Sequence, residues 1–169
     1  RLINGYLVPT AALHGPATIH SRLTSYIQGP KAPKWTRRMS PLQYQLSYLQ
    51  ILINTAQTNG AMAIYSGDCN RQIQSTTGKV VNPLQIFCRS NKMEAPMVAT
   101  LHHLPGYYTW RSPTQRQQST IIDHIMHTPL PHNITIGQVG TMNDEHTNTL
   151  SDHLPIWITL SLMDPIKLT

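Results

Sequence analysis

Charge is scarce in this chain. Only 12% of its 169 residues are Asp, Glu, Lys or Arg, about half of the ~25% usual for soluble domains. Glutamate is nearly absent, with Glu94 and Glu145 the only two. There are two cysteines, Cys69 and Cys88, and no CxxC pair. A disulfide framework is therefore excluded, and two free thiols in a reducing compartment are expected, nucleus or cytoplasm. The longest apolar run, Leu154 to Met163, is interrupted by Thr and Ser. It is too short to span a bilayer, and no membrane association is expected. No signal peptide, internal repeat or linker is visible, and the chain opens on Arg1 rather than Met, so it reads as a fragment of one domain. No obligate protein partner is evident.

What is present is a hydrophobic share of 40% and a net charge of +6, with pI near 9.6. The first is enough for a core in a single domain. The second favours polyanionic partners, DNA first. One basic stretch, Lys31 to Arg38, has Trp35 in its middle as a stacking face beside phosphate-seeking cations. A solvated loop is the competing reading of the same stretch.

Periodicity places the elements. Leu2 to Val8 reads as a strand, and Ala17 to Ile27 as a short helix. Ser40-Pro41 is an N-cap followed by proline at the first helical position. Leu42, Leu46, Leu49, Leu52 and Ile53 then repeat at helical spacing until Asn59-Gly60. Ala61 to Tyr65 is predicted as a buried strand ending at Ser66-Gly67-Asp68-Cys69-Asn70. A short helix is predicted from Pro83 to Arg89, and strands over 107–110, 119–127, 134–139 and 154–162. Helices leading into apolar strands make this an α/β chain.

Three short motifs put a carboxylate at or near a strand end, where a rigid sheet displays functional groups on loops. In Gly67-Asp68-Cys69-Asn70, glycine permits a tight turn and Asp68 and Asn70 project from it. In Ile122-Asp123-His124-Ile125, a carboxylate among isoleucines needs a partner if buried. In Ser151-Asp152-His153, the histidine can be that partner. An Asp123–His153 pair would orient the imidazole and favour its cationic form, suited to a phosphate oxygen. Each motif alone is more often an ordinary turn or ion pair. The other histidines, His102-His103 and His124-x-x-His127, do not make a zinc site, because strand residues three apart face opposite ways.

In order along the chain, Asn4-Gly5-Tyr6, Gly67-Asp68-Cys69-Asn70, Tyr108-Thr109-Trp110, Ile122-Asp123-His124-Ile125 and Ser151-Asp152-His153-Leu154-Pro155-Ile156 resemble the endonuclease/exonuclease/phosphatase superfamily. This DNase I-like superfamily includes apurinic endonucleases and the endonuclease domains of non-LTR retrotransposons. The Tyr-Thr-Trp segment looks most like those two branches. The resemblance implies the C-terminal portion of one such domain over residues 1–169, a two-sheet sandwich flanked by helices. It implies a metal-dependent phosphodiester hydrolase, endonuclease-like, retroelement-derived and acting on DNA.

The residue roles follow from the same resemblance. Asp68 would orient or deprotonate water, Asn70 would bond the scissile phosphate, and His153 would face a phosphate oxygen, oriented by Asp123. Tyr6 would contact phosphate, Asp152 would sit at the metal side, and Trp110 and Arg111 would touch substrate. Mg²⁺ or Mn²⁺ is the implied cofactor. The family's principal metal-binding glutamate has no counterpart here, so metal is expected to bind weakly and plasmid nicking to stay near background. Two alternatives remain open: a phosphatase acting on inositol phosphates or lipid head groups, and an inactive remnant that binds nucleic acid.

Overall fold

The computed structural model describes residues 1–7, 19–73, 83–101, 107–114, 119–142 and 151–163. Among them lie seven strands and four helices, a mixed α/β arrangement. The central sheet joins β1 (Leu2–Tyr6), β2 (Ile64–Asp68) and β5 (Asp123–His127) in the order β1-β2-β5. β1 and β2 run parallel, with Tyr6 beside Asp68; β5 runs antiparallel to β2, with Asp123 opposite Asp68. Two-stranded sheets are formed by β3 (Trp110–Arg111) with β4 (Ser119–Thr120) and by β6 (Ile134–Thr141) with β7 (Ile156–Leu162). No helix among the described residues is long and apolar enough to cross a membrane.

Parallel strands need a crossover. Helices α1 (Ile19–Gln28) and α2 (Pro41–Thr58) lie in the connection between β1 and β2. The α2 start follows its sequence signal closely. Ser40 accepts from the Gln43 backbone N–H at 3.2 Å, and the Gln43 side chain accepts from the Ser40 N–H at 2.8 Å. That reciprocal capping satisfies two otherwise orphaned donors. At the far end Gly60 takes φ +67°, the left-handed conformation that ends a helix without strain.

Leu42, Leu46, Leu49, Ile53 and Ala56 form the buried face of α2. They share one core with Ala63, Tyr65 and Met126 of the central sheet region and with Leu84, Phe87 and Cys88 of α3 (Pro83–Ser90). Leu52, expected on that face, is only half-buried. Both cysteines are buried and unpaired, as expected from their isolation.

Three boundaries differ from the sequence expectation by more than two residues. The strand expected over 61–65 lies at Ile64–Asp68, because pairing with β1 begins at Leu2 opposite Ile64 and continues through Gly67. Gly67 lies so close to Gly5 that a Cβ there would sit 1.7 Å from the Gly5 carbonyl oxygen. Only glycine lets the two strands run on together to Asp68. The strand expected over 119–127 is split into β4 and β5, because the N–H groups of Ile122 and Asp123 both donate to the Thr109 hydroxyl at 2.9 Å instead of to a neighbouring strand. Asp123 is thus the first residue of its strand rather than a position inside it. Of residues 107–110, only Trp110 is in strand, within β3. An additional helix not expected from the sequence, α4 (Pro96–Leu101), has proline as its first residue. Val8, part of the helix start at Ala17–Thr18, and most of the loop after Thr141 fall outside the described residues.

Candidate active site

Asp68, the last residue of β2, and Asp123, the first of β5, are cross-strand partners at one end of the central sheet. On one face of a sheet such partners bring their side chains within contact. The chain turns immediately after Asp68. Asn70 adopts φ +50°, a conformation Asn tolerates better than most residues. Its backbone N–H donates to Asp68 Oδ1 at 2.7 Å and its amide to Asp68 Oδ2 at 3.1 Å. The same amide nitrogen donates to the Leu7 carbonyl at 2.9 Å, tying the turn to the end of β1. With both amide hydrogens so engaged, Asn70 braces Asp68, and a contact to phosphate requires one of these bonds to be exchanged.

His153 arrives from a different part of the chain. The segment 152–154 runs beside β3: the Arg111 N–H donates to the Asp152 carbonyl at 2.9 Å and the Leu154 N–H to the Thr109 carbonyl at 2.7 Å. Trp110 and His153 form an isolated antiparallel bridge. The His153 N–H is further held by Ser151 Oγ at 3.0 Å. From there the ring donates Nδ1–H to both Asp123 oxygens, at 3.1 and 3.0 Å. Asp123 is buried and His153 half-buried, with side-chain exposures of 12% and 33%. The pairing expected from a carboxylate among isoleucines is therefore present, and it leaves Nε2 as the ring atom for a ligand.

Thr109 holds the whole junction. It is fully buried. Its hydroxyl accepts from Ile122 and Asp123, its N–H donates to the Thr120 carbonyl at 3.0 Å, and its carbonyl accepts from Leu154. One residue thus joins the start of β5, β4 and the segment that carries His153. Thr109 lies in the Tyr108-Thr109-Trp110 motif, which by itself assigns it no role. A threonine between two aromatics offers no periodic signal of this.

The electrostatics are set by burial and by the close carboxylates. Burial raises the Asp68 carboxyl above the ordinary carboxylate range, and the nearby Asp123 charge raises it further; the Asn70 donors and His153 act in the opposite direction. His124, opposite Gly67, is fully buried. Burial lowers it to about 4, and its Nε2–H donates to the Arg71 carbonyl at 2.7 Å, so it packs as a neutral ring. His127 is buried too, with Nδ1–H donating to the Thr128 carbonyl at 2.8 Å. Neither belongs to a metal cluster among the described residues, and His102 and His103 lie outside them.

One group of potential ligands does converge. Asp68, Asp123 and His153 each offer an atom, and these atoms lie within 4.8 Å of one another. Two carboxylates suit a hard divalent cation, and adding an imidazole suits Mn²⁺ at least as well as Mg²⁺. The donor set therefore fits a divalent ion. Asp152 stands outside this group: it is exposed, and its Oδ2 accepts from the Trp110 indole N–H at 3.0 Å, leaving Oδ1 as its donor atom. Arg111, next to Trp110, is exposed with its guanidinium 4.3 Å above the Tyr108 ring. Tyr6 is the backbone neighbour of Asp68 across β1 and β2. Glu94 bridges His127, at the opposite end of β5 from Asp123. Four residues of strand, about 13 Å, separate it from the carboxylates. Glu145 lies outside the described residues. In comparisons with known proteins, no family model matches the chain and no curated protein is significantly similar to it.

Proposed function

We propose that this site belongs to a metal-dependent phosphodiester hydrolase, endonuclease-like and acting on DNA, of the endonuclease/exonuclease/phosphatase type. The observation that supports it is convergence: Asp68, Asp123 and His153 are far apart in the chain, yet their ligand atoms fall within 4.8 Å. Such clusters of titratable groups with opposed electrostatic influences are characteristic of catalytic sites.

In this reading Asp68 is the base. Its raised affinity for a proton makes it a better acceptor from water than an ordinary carboxylate, while Asn70 fixes its orientation. His153 presents Nε2 to a phosphate oxygen, and Asp123 holds the ring in the tautomer that makes this possible. Arg111 lies one residue beyond the bridge partner of His153 and can neutralise a flanking phosphate. Asp68 and Asp123 would hold a divalent ion through oxygen lone pairs not occupied by Asn70 or His153, with Asp152 as the further metal-side group and Tyr6 as the further phosphate contact that the resemblance implies. A bound Mg²⁺ or Mn²⁺ supplies Lewis-acid stabilisation of charge on the phosphoryl oxygens. Tyr108-Thr109-Trp110 ahead of the Ile-Asp strand favours the retrotransposon and apurinic branches, and hence DNA over inositol phosphates.

A weak metal site is filled by mass action, so the test is a single-turnover assay with the chain in excess over labelled DNA and millimolar Mn²⁺ or Mg²⁺. Slow, metal-dependent cleavage is expected. His153→Ala and Asp68→Ala should each lower it by about a hundredfold or more. Cleavage that survives both substitutions would refute the assignment. Phosphate release from inositol phosphates without DNA cleavage would transfer the site to the head-group reading. DNA binding with no cleavage at all would leave a binding module.

A further inference from the structure

The net charge is not spread over the chain. Residues 1–67 contain six Lys and Arg and not one Asp or Glu, whereas the rest of the chain contains seven of each. The whole excess of +6 therefore resides before Asp68. Four of those six cations, Lys31, Lys34, Arg37 and Arg38, lie within eight residues, and all four are exposed. Trp35, between them, is 58% exposed.

This segment is built rather than loose. Lys34–Thr36 forms a single 3-10 turn. Thr36 is fully buried, with its N–H and its hydroxyl both donating to the Pro33 carbonyl at 3.0 and 2.8 Å. Ala32 is buried at the other side, and Met39 N–H closes onto the Thr36 carbonyl at 2.8 Å. The capped start of α2 follows at Ser40. Two buried anchors thus pin the turn while its cations and indole face outward. Among the described residues, both ion pairs involve histidine, and neither includes any of these four cations.

We infer that this turn is a binding surface for single-stranded nucleic acid, with Trp35 stacking on an unpaired base and Lys31, Lys34, Arg37 and Arg38 contacting the flanking phosphates. An exposed large aromatic among unpaired cations matches both faces of a nucleotide chain, the flat base and the anionic backbone. The base must be unpaired, because a duplex keeps its base faces inside the stack. A membrane surface is the weaker fit: insertion needs a wide apolar face, and every exposed neighbour of Trp35 in this turn is a cation or proline. The position is also apt. β1 and β2 are parallel with α2 in the crossover, so α2 starts near the sheet end where β1 finishes, the end that carries Asp68. The surface stands on its own evidence and does not require the hydrolase assignment.

The test is fluorescence anisotropy of the 169-residue chain with labelled dT15 and with a duplex of the same length, at two salt concentrations. Trp35→Ala should weaken dT15 binding about tenfold or more while changing duplex binding far less. Arg37→Ala with Arg38→Ala should flatten the salt dependence for dT15 by about 1.4 in log–log slope. Arg89→Ala, which removes an exposed cation of α3 outside this turn and outside the triad, should leave dT15 affinity within about twofold. Circular dichroism melting checks that Trp35→Ala remains folded, as its exposure predicts. Binding of dT15 that Trp35→Ala leaves within twofold would overturn the inference. So would loss of dT15 binding in Arg89→Ala alone, which would place the nucleotide on α3 and leave the hydrolase reading standing. Binding to vesicles containing phosphatidylserine without binding to dT15 would assign the turn to a membrane instead.

Discussion

Replacing Thr109 with valine removes one hydroxyl and almost no volume, so it isolates the hydrogen bonds at the junction of the site. That hydroxyl accepts from two backbone N–H groups, Ile122 and Asp123, at 2.9 Å each. The Asp123 bond is buried and the Ile122 bond partly so. Each N–H left without an acceptor away from water costs about 1–3 kcal/mol, and the more open Ile122 donor lies at the low end. The sum is about 2–4 kcal/mol. For a chain of this size each kcal/mol moves the melting temperature by about 2–4 °C, so a fall of roughly 5–15 °C is expected. Thr109→Ser keeps the acceptor and loses only a methyl group, and should retain most of the stability. The measurement is thermal melting by circular dichroism for the three proteins, with single-turnover DNA cleavage in parallel. Because the start of β5 sets where Asp123 meets His153, cleavage by Thr109→Val should fall even at a temperature where the variant is folded. A valine variant melting within about 2 °C of the parent would refute the role assigned to Thr109.

Two further outcomes follow from the same sheet. Gly67→Ala places a Cβ 1.7 Å from the Gly5 carbonyl oxygen, at φ +156°, so β1 must separate from β2. The variant should fail to give a cooperative melt, whereas Gly60→Ala, with open space around its Cβ position, should lose only the strain of the left-handed cap. His124 is held near 4 by burial against an ordinary 6.5. A depressed folded-state value means this contribution is fully present above pH 6.5 and is lost as pH falls toward 4. The loss is roughly 3 kcal/mol, from the 1.36 kcal/mol that accompanies each unit. Urea midpoints measured from pH 7.5 to 4.5 should therefore fall less steeply in His124→Gln than in the parent; parallel curves would refute it.

The parts of this fold that were legible in the sequence are those in which a local rule and the tertiary contact agree. Ser40-Pro41 and Gln43 announce the start of α2 because the cap is a contact between neighbours. The leucine repeat announces its buried face for the same reason. The extent of β2 was not legible, because the ladder continues past the apolar residues only where Gly67 meets Gly5, sixty-two positions earlier. The break before Asp123 was equally hidden, since an isoleucine pair reads as uninterrupted strand unless the Thr109 hydroxyl is known to capture its N–H groups. Within the site, the Asp123–His153 pair was accessible from physics, as a carboxylate among isoleucines needs a partner. The bracing of Asp68 by Asn70 was not, because Asn70 is positioned by the Leu7 carbonyl of a distant strand.

The hydrogen bond between His153 and Asp123 also constrains how a metal can bind. A proton on Nδ1 is what allows that ring to donate to both Asp123 oxygens. A metal on the same nitrogen would have to displace that proton, so coordination through Nδ1 and the Asp–His pair are alternatives rather than additions. If His153 is to face a phosphate oxygen with Nε2, the ion must be held by oxygens alone. Asp68 and Asp123 can supply these, since a carboxylate that accepts hydrogen bonds at one lone pair of each oxygen retains another. Oxygen-only binding through two carboxylates is the mode in which Mg²⁺ keeps most of its water and relies on substrate phosphate for further ligands. On the proposed function, the geometry that orients His153 would thereby favour an ion held firmly only when a phosphodiester is bound.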